Sequence, residues 1–134
     1  MATKTVLDSP RIPRLGPYSQ AVRVGDLIFT AGQAGIDPAT GKAAGDSFLA
    51  QARQAFTNLS FLLEDAGSSM DQVVKVTCFV AEAEAFTSLN ELFAEFFAAS
   101  PPVRSTPVVA LPRGLKFSIE AIAIGGASGE GSSF

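Results

Sequence analysis

From Leu115 to Ile124 the side chains alternate without a slip. Leu115, Phe117, Ile119, Ala121 and Ala123 fall on one face of an extended chain, and Lys116, Ser118, Glu120, Ile122 and Ile124 on the other. This predicts a strand with one fully apolar face and a second that mixes two isoleucines with Ser118 and Glu120. Ahead of it, Arg104 to Leu111 reads as another apolar strand and Pro112-Arg113-Gly114 as a turn, so the two are expected to pair as a hairpin. A loop centred on Pro112 would set Arg104 opposite Glu120 and Thr106 opposite Ser118, lining one surface with all four. A two-residue turn at Arg113-Gly114 would instead send Arg104 and Glu120 to opposite faces. The first register is the expected one.

Upstream, Lys4 to Asp8 reads as a short edge strand. Ser9 to Pro17, with three prolines and a glycine, reads as a loop. Ala21–Val24 and Leu27–Thr30 flank Gly25-Asp26 as a hairpin. Gly32, just past the second strand, marks either a bend or a place where a ligand approaches the backbone, and the pattern leaves both open. Ile36 to Gly41 is turn chemistry. Asp46 or Ser47 then caps a helix that runs to about Ala66 and stops at Gly67. Its apolar stripe is Phe48, Leu49, Ala52, Ala55, Phe56, Leu59, Leu62, Leu63 and Ala66.

Val73 to Val80 is a strand that is apolar on both sides except at Lys75 and Thr77. A second helix is predicted over roughly Glu84 to Ala99, with Phe86, Leu89, Leu92, Phe93, Phe96 and Phe97 on its buried face and Asn90 at a solvated position. Pro101-Pro102 ends it. Residues 1–124 read as a single domain, and 125–134, rich in Gly and Ser, as a flexible tail. The expected fold is α+β, one sheet with two helices on one face. The other, apolar face then requires a partner, which favours a closed homo-oligomer.

Composition sharpens this picture. Charged residues are 17% of the 134, against roughly 25% in typical soluble domains, so part of the surface is expected to be covered by other subunits. A net charge of -3 argues against a general nucleic-acid binder. With no histidine, imidazole metal sites and histidine-based dyads are excluded. The single Cys78 sits in an apolar strand and is expected to be an inert buried thiol. No signal-peptide pattern and no run of membrane-spanning length appear, so no membrane partner and a cytoplasmic location are expected.

The candidate chemistry lies where charge meets apolar surroundings. Glu120 beside two isoleucines needs a cation or several donors. Arg104 either pairs with it structurally or stays free to clamp a ligand carboxylate through two parallel hydrogen bonds. Both readings stand at this level.

Several stretches, in this order over nearly the whole chain, resemble the RidA/YjgF reactive-intermediate deaminases. They are Gly16-Pro-Tyr-Ser-Gln20, Phe29-Thr-Ala-Gly-Gln33, Asp37-Pro-Ala-Thr-Gly41, Gln51-Ala-Arg-Gln54, Val74-Lys-Val-Thr77, the helix from Leu89-Asn90 to Phe97, Arg104-Ser-Thr106, Leu111-Pro112 and Ile119-Glu-Ala-Ile-Ala123. The resemblance implies a chorismate-mutase-like subunit with a single mixed sheet, assembled as a homotrimer with sites between subunits. It implies that Arg104 binds the carboxylate of a 2-imino acid such as 2-iminopropanoate or 2-iminobutanoate, that water replaces ammonia, and that no cofactor or metal takes part. Tyr18, Ala31, Gly32, Asn90 and Thr106 match family positions near the pocket. The family's ending usually carries a catalytic Glu where this chain has Ser118, and Glu120 matches a second acid two residues on. Thr106 stands where many members have Cys. These departures imply altered hydrolase activity with Glu120 positioning water beside Ser118, or a non-catalytic trimer that binds small carboxylates or protein partners.

Overall fold

The strictest alternation in the chain forms the centre of the sheet. In a computed structural model that describes residues 3–125, strands β1 (Lys4–Leu7), β2 (Ala21–Val24), β3 (Leu27–Thr30), β4 (Gln33–Ala34), β5 (Val73–Val80), β6 (Val103–Ser105) and β7 (Phe117–Ile124) form one sheet in the order β1-β2-β3-β7-β5-β6, with β4 also on β7. Every pairing is antiparallel except β5 with β6. The tail expected over 125–134 lies, apart from Gly125, outside the described residues.

Helices α1 (Phe48–Asp65) and α2 (Phe86–Phe96) pack on one face. The core joins Ala52, Ala55, Phe56, Leu59 and Leu63 of α1 and Leu89 and Leu92 of α2 to Val76, Cys78 and Val80 of β5 and to Phe117, Ile119, Ala121 and Ala123 of β7. Phe56 is its hub, stacked on Phe117 at 5.6 Å and in contact with Phe93, Phe96 and Phe97. Emptying such a position costs about 3–5 kcal/mol. Ser47 caps α1 by accepting a hydrogen bond from Ala50 N, and Gly67, at φ +90, follows the helix end in a conformation that favours glycine. No helix of the described residues is long and apolar enough to cross a membrane.

The alternation of β7 is realised as read: Phe117, Ile119, Ala121 and Ala123 are buried under the helices, and Ser118, Glu120, Ile122 and Ile124 look out from the open face. That face carries exposed Leu27, Phe29 and Ile124.

Three expectations need correction. The segment 104–124 is not a hairpin: β5 lies between β6 and β7. After β5 the chain crosses through α2 and returns parallel to β5 on its outer edge. The turn at Pro112–Gly114, with Arg113 at φ 62, then carries the chain past the end of β5, where Ala81 N donates to Lys116 O, to the strand's other side. Two adjacent apolar runs around Pro-Arg-Gly mimic a hairpin, whereas a helical crossover makes parallel pairing natural. Secondly, α2 stops at Phe96 rather than near Ala99, because Phe97 leaves helical geometry at φ -122 and ψ 49 and is buried in the core. Thirdly, Phe86 is 50% exposed and Leu49 is also exposed, so neither belongs to the buried stripes.

Candidate functional site

Strand order and register decide where the candidate residues go. Arg104 pairs with Val76, a helix-side position, whereas Glu120 pairs with Thr77 on the open side. Directly paired residues share a face, so Arg104 and Glu120 point to opposite sides. The surface expected to gather Arg104, Thr106, Ser118 and Glu120 does not exist within one chain.

Arg104, half-buried on edge strand β6, turns instead toward α2. Its Nε donates to Thr106 Oγ1 at 2.8 Å and its Nη2 to Asn90 Oδ1 at 2.8 Å. Its Cζ lies 5.2 Å from the Phe86 ring centroid and 4.9 Å from that of Phe93. Residues 86, 90 and 93 share one helical stripe by their spacing, and 104 and 106 share one side of an extended segment, so both elements present a cradle by periodicity alone. Arg11, Arg14 and Arg53 pair with carboxylates, but Arg104 has no carboxylate partner among the described residues. The structural ion pair weighed from the sequence is therefore not formed. The guanidinium is oriented by neutral oxygens and aromatic rings, which fix its plane without cancelling its charge.

Pro107 suits this edge. It has no N–H to give to β5, and the regular β6 ladder ends at Ser105, just before it; its carbonyl still accepts from Val80 N at 3.1 Å while Val109 N donates back to Val80 O at 2.9 Å.

A second cluster forms elsewhere on the same chain. Tyr18, Gly32 and Ser118 line a cavity of about 320 Å³ together with Leu15, Leu111 and Phe117. A Cβ at Gly32 would stand 2.8 Å from Ser118 Oγ, so the missing side chain is what keeps the hydroxyl open to the cavity. The close neighbour of Gly32 is thus the protein's own Ser118 side chain. Ala31 donates its N–H to Gln20 O at 2.8 Å and so fixes the strand leading into Gly32. Glu120 lines a different concavity, of about 190 Å³, with Phe29, Lys75, Thr77 and Ile122.

Of the predicted residues, then, Arg104, Asn90 and Thr106 meet in one cluster and Tyr18, Gly32 and Ser118 in another, with Glu120 apart from both. Asn90, read as solvated, is the hydrogen-bond partner of the arginine. Phe86 and Phe93 were missed as part of this cluster because they were counted as core; the signal was their spacing around Asn90. Cys78 is buried, and burial pushes its thiol up to about 12 despite the opposing influence of Arg104, as suits an unreactive core residue.

A family model described as endoribonuclease L-PSP matches residues 9–125. A RutC family protein of Pyrococcus abyssi is 39% identical over 122 residues, covering 90% of this chain and 96% of that protein. The 2-iminobutanoate/2-iminopropanoate deaminase of Mus musculus is 39% identical over 125 residues, covering 92% of this chain and 93% of its own. Among solved structures, RidA from an Antarctic Psychrobacter superposes with a TM-score of 0.86 at 36% identity, covering 90% of this chain and 98% of that one.

Proposed function

The chain belongs to the RidA/YjgF family, whose model carries the endoribonuclease L-PSP description, and from that membership we propose that it hydrolyses 2-imino acids such as 2-iminopropanoate and 2-iminobutanoate. The observation that carries the proposal is Arg104: a guanidinium oriented by Asn90, Thr106 and two phenyl rings, with no carboxylate partner among the described residues, suits an incoming carboxylate. The name of the mouse relative supports the substrate class.

In the proposed reaction the substrate's carboxylate rests on Arg104. Water adds to the carbon of the protonated imine, and the C–N bond of the resulting amino alcohol breaks. A 2-keto acid and ammonium leave, so atoms and charge balance. The substrate is already electrophilic, so orientation and an acceptor for the water's proton supply most of what is needed. Ser118, beside Gly32 and Tyr18, and Glu120, two residues further on the same face, are the proposed water-positioning groups.

One copy does not bring its Arg104 cluster to its Ser118 cavity. The proposal therefore includes a homotrimer in which the cavity of one subunit faces the Arg104 cluster of the next, with Ala31 and Gly32 forming the wall between. Exposed Leu27, Phe29 and Ile124 on the open face, and the outer edge of β6, which pairs with no other strand among the described residues, favour such assembly.

Glu120 lies in a separate concavity from Ser118, and this favours a second reading, a trimer that binds small carboxylates with little turnover. Generating 2-iminopropanoate in situ and following keto-acid release, beside calorimetric titration of 2-ketobutyrate, separates the two. The deaminase reading expects accelerated release that Arg104→Ala abolishes. Binding without acceleration would establish the second reading, and activity untouched by Arg104→Ala would defeat the role of the arginine.

A further inference from the structure

We propose that Phe86, with Phe93, is a positioning residue for ligand binding, holding the guanidinium plane of Arg104 so that its unbonded N–H groups present to a carboxylate. The inference rests on the reading of Arg104 as the carboxylate-binding residue.

An arginine side chain has considerable rotamer freedom, and a free one must be ordered each time a ligand binds. The protein could order it with an acid, but an acid would occupy the same N–H groups and neutralise the same charge. Here two of the five donors are fixed by uncharged oxygens, Thr106 Oγ1 and Asn90 Oδ1, each at 2.8 Å. The rings of Phe86 and Phe93, 5.2 and 4.9 Å from Cζ, attract the cation without accepting a hydrogen bond in its plane. The remaining donors, both on Nη1 and one on Nη2, have no hydrogen-bond partner among the described residues.

Phe86 is not explained by the core. It is 50% exposed at the first position of α2, outside the buried cluster. Phe93 differs, since it also packs on Phe97 at 4.7 Å and Phe56 at 6.4 Å. Changing it would disturb the core as well as the arginine. The informative substitution is therefore at Phe86.

The experiment compares wild type, Phe86→Leu, Phe86→Trp and Arg104→Ala by calorimetric titration of 2-ketobutyrate and by KM and kcat for in situ 2-iminopropanoate. Leucine keeps the apolar bulk and removes the π face; tryptophan offers a stronger one. Phe86→Leu should weaken binding and raise KM by roughly two- to fivefold, the effect of one partly exposed cation–π contact, with kcat unchanged. Phe86→Trp should bind as well as wild type or better. Wild-type affinity in Phe86→Leu beside lost binding in Arg104→Ala overturns the positioning role while leaving the arginine reading intact. So does a loss that tryptophan fails to restore, or one that falls on kcat alone. Unchanged binding in Arg104→Ala, or no binding by wild type, overturns the arginine reading and this inference with it.

Discussion

Arg104 and Glu120 are held on opposite faces of the sheet, because Arg104 pairs with Val76 and Glu120 with Thr77, consecutive residues of the same strand. No rotamer of either side chain reaches around the intervening strand. A site that uses the Arg104 cluster and the Ser118 cavity together has to draw on two copies. The prediction is complementation. Arg104→Ala removes one half-site, and Gly32→Leu fills the other, where even a Cβ stands 2.8 Å from Ser118 Oγ. Each variant alone should be inactive, whereas an equal mixture refolded together should regain about a quarter of the wild-type sites, the chance that neighbouring subunits of a ring contribute complementary intact halves. Activity measured on the mixed oligomers checks this, and no recovery would mean that both halves belong to one subunit.

Ser118 governs rate more than affinity under the proposed mechanism. A hydroxyl without an adjacent base accepts a proton poorly at neutral pH. Ser118→Glu places a carboxylate beside Gly32 and Tyr18, in a cavity of about 320 Å³ that has room for it. The expected result is a kcat higher by roughly 10–100-fold, within the range for a positioned general base, with the affinity for 2-ketobutyrate held within about threefold. Glu120→Gln should lower kcat and leave affinity unchanged. Parallel titration and turnover measurements on both variants test the assignment, and an unchanged kcat in Glu120→Gln would assign water positioning to Ser118 alone.

Much of this architecture was legible from periodicity. The alternation of β7, the stripe of α1 and the β2–β3 hairpin are local patterns whose burial follows from spacing. The placement of β6 was not, because whether two neighbouring strands pair depends on what the chain inserts between them, and the β5–α2–β6 crossover is a long-range choice. The same limit hid the Arg104 cradle. Phe86, Asn90 and Phe93 are legible as one helical stripe, but nothing local says that the stripe faces an arginine rather than an apolar strand. Resemblance to a family named the residues, and only topology separated them into two clusters.

The N-terminal loop is tied to the end of α1 by two acids, Glu64, which accepts from Arg11 Nη2 at 3.0 Å, and Asp65, which makes the larger set of bonds. Asp65 accepts from Arg11 Nη2 at 2.9 Å, from Arg11 Nε at 3.1 Å and from Ser9 Oγ at 2.5 Å. The Arg11 hydrogen bond, then that of Ser9, holds its carboxyl below the ordinary value of 3.8. A carboxyl lowered by folding contributes stability that is fully present above its unfolded value and is lost as pH falls through its folded one. Asp65→Asn should therefore lower Tm at neutral pH and flatten its fall below about pH 4. The size will be modest, since this network is solvent-accessible. Thermal melts of both proteins between pH 2 and 7 measure it, and parallel curves would exclude Asp65 from acid unfolding.

The sharpest steric constraint lies where α1 meets the strand that leads into the cavity. A Cβ on Gly35 would come within 2.1 Å of the Gln51 carbonyl oxygen and 2.5 Å of its Cα, both backbone atoms that no rotamer change moves away. The helix is held this close by Gln51 itself, whose Nε2 donates to Gly45 O at 2.9 Å and whose Oε1 accepts from Lys116 N at 2.8 Å. Asn58, fully buried, adds Nδ2 bonds to Ile36 O at 2.9 Å and Ala34 O at 3.3 Å. Relieving the clash means pulling α1 off the sheet, which breaks these buried and part-buried bonds along with the packing. Gly35→Ala should cost about 3 kcal/mol or more, at the upper end of overpacking effects, read as a lower urea midpoint at constant m-value. Ala34 pairs with Ser118 and lines its cavity, so whatever folded protein remains should also lose turnover. A denaturation midpoint equal to wild type would show that α1 yields at this contact.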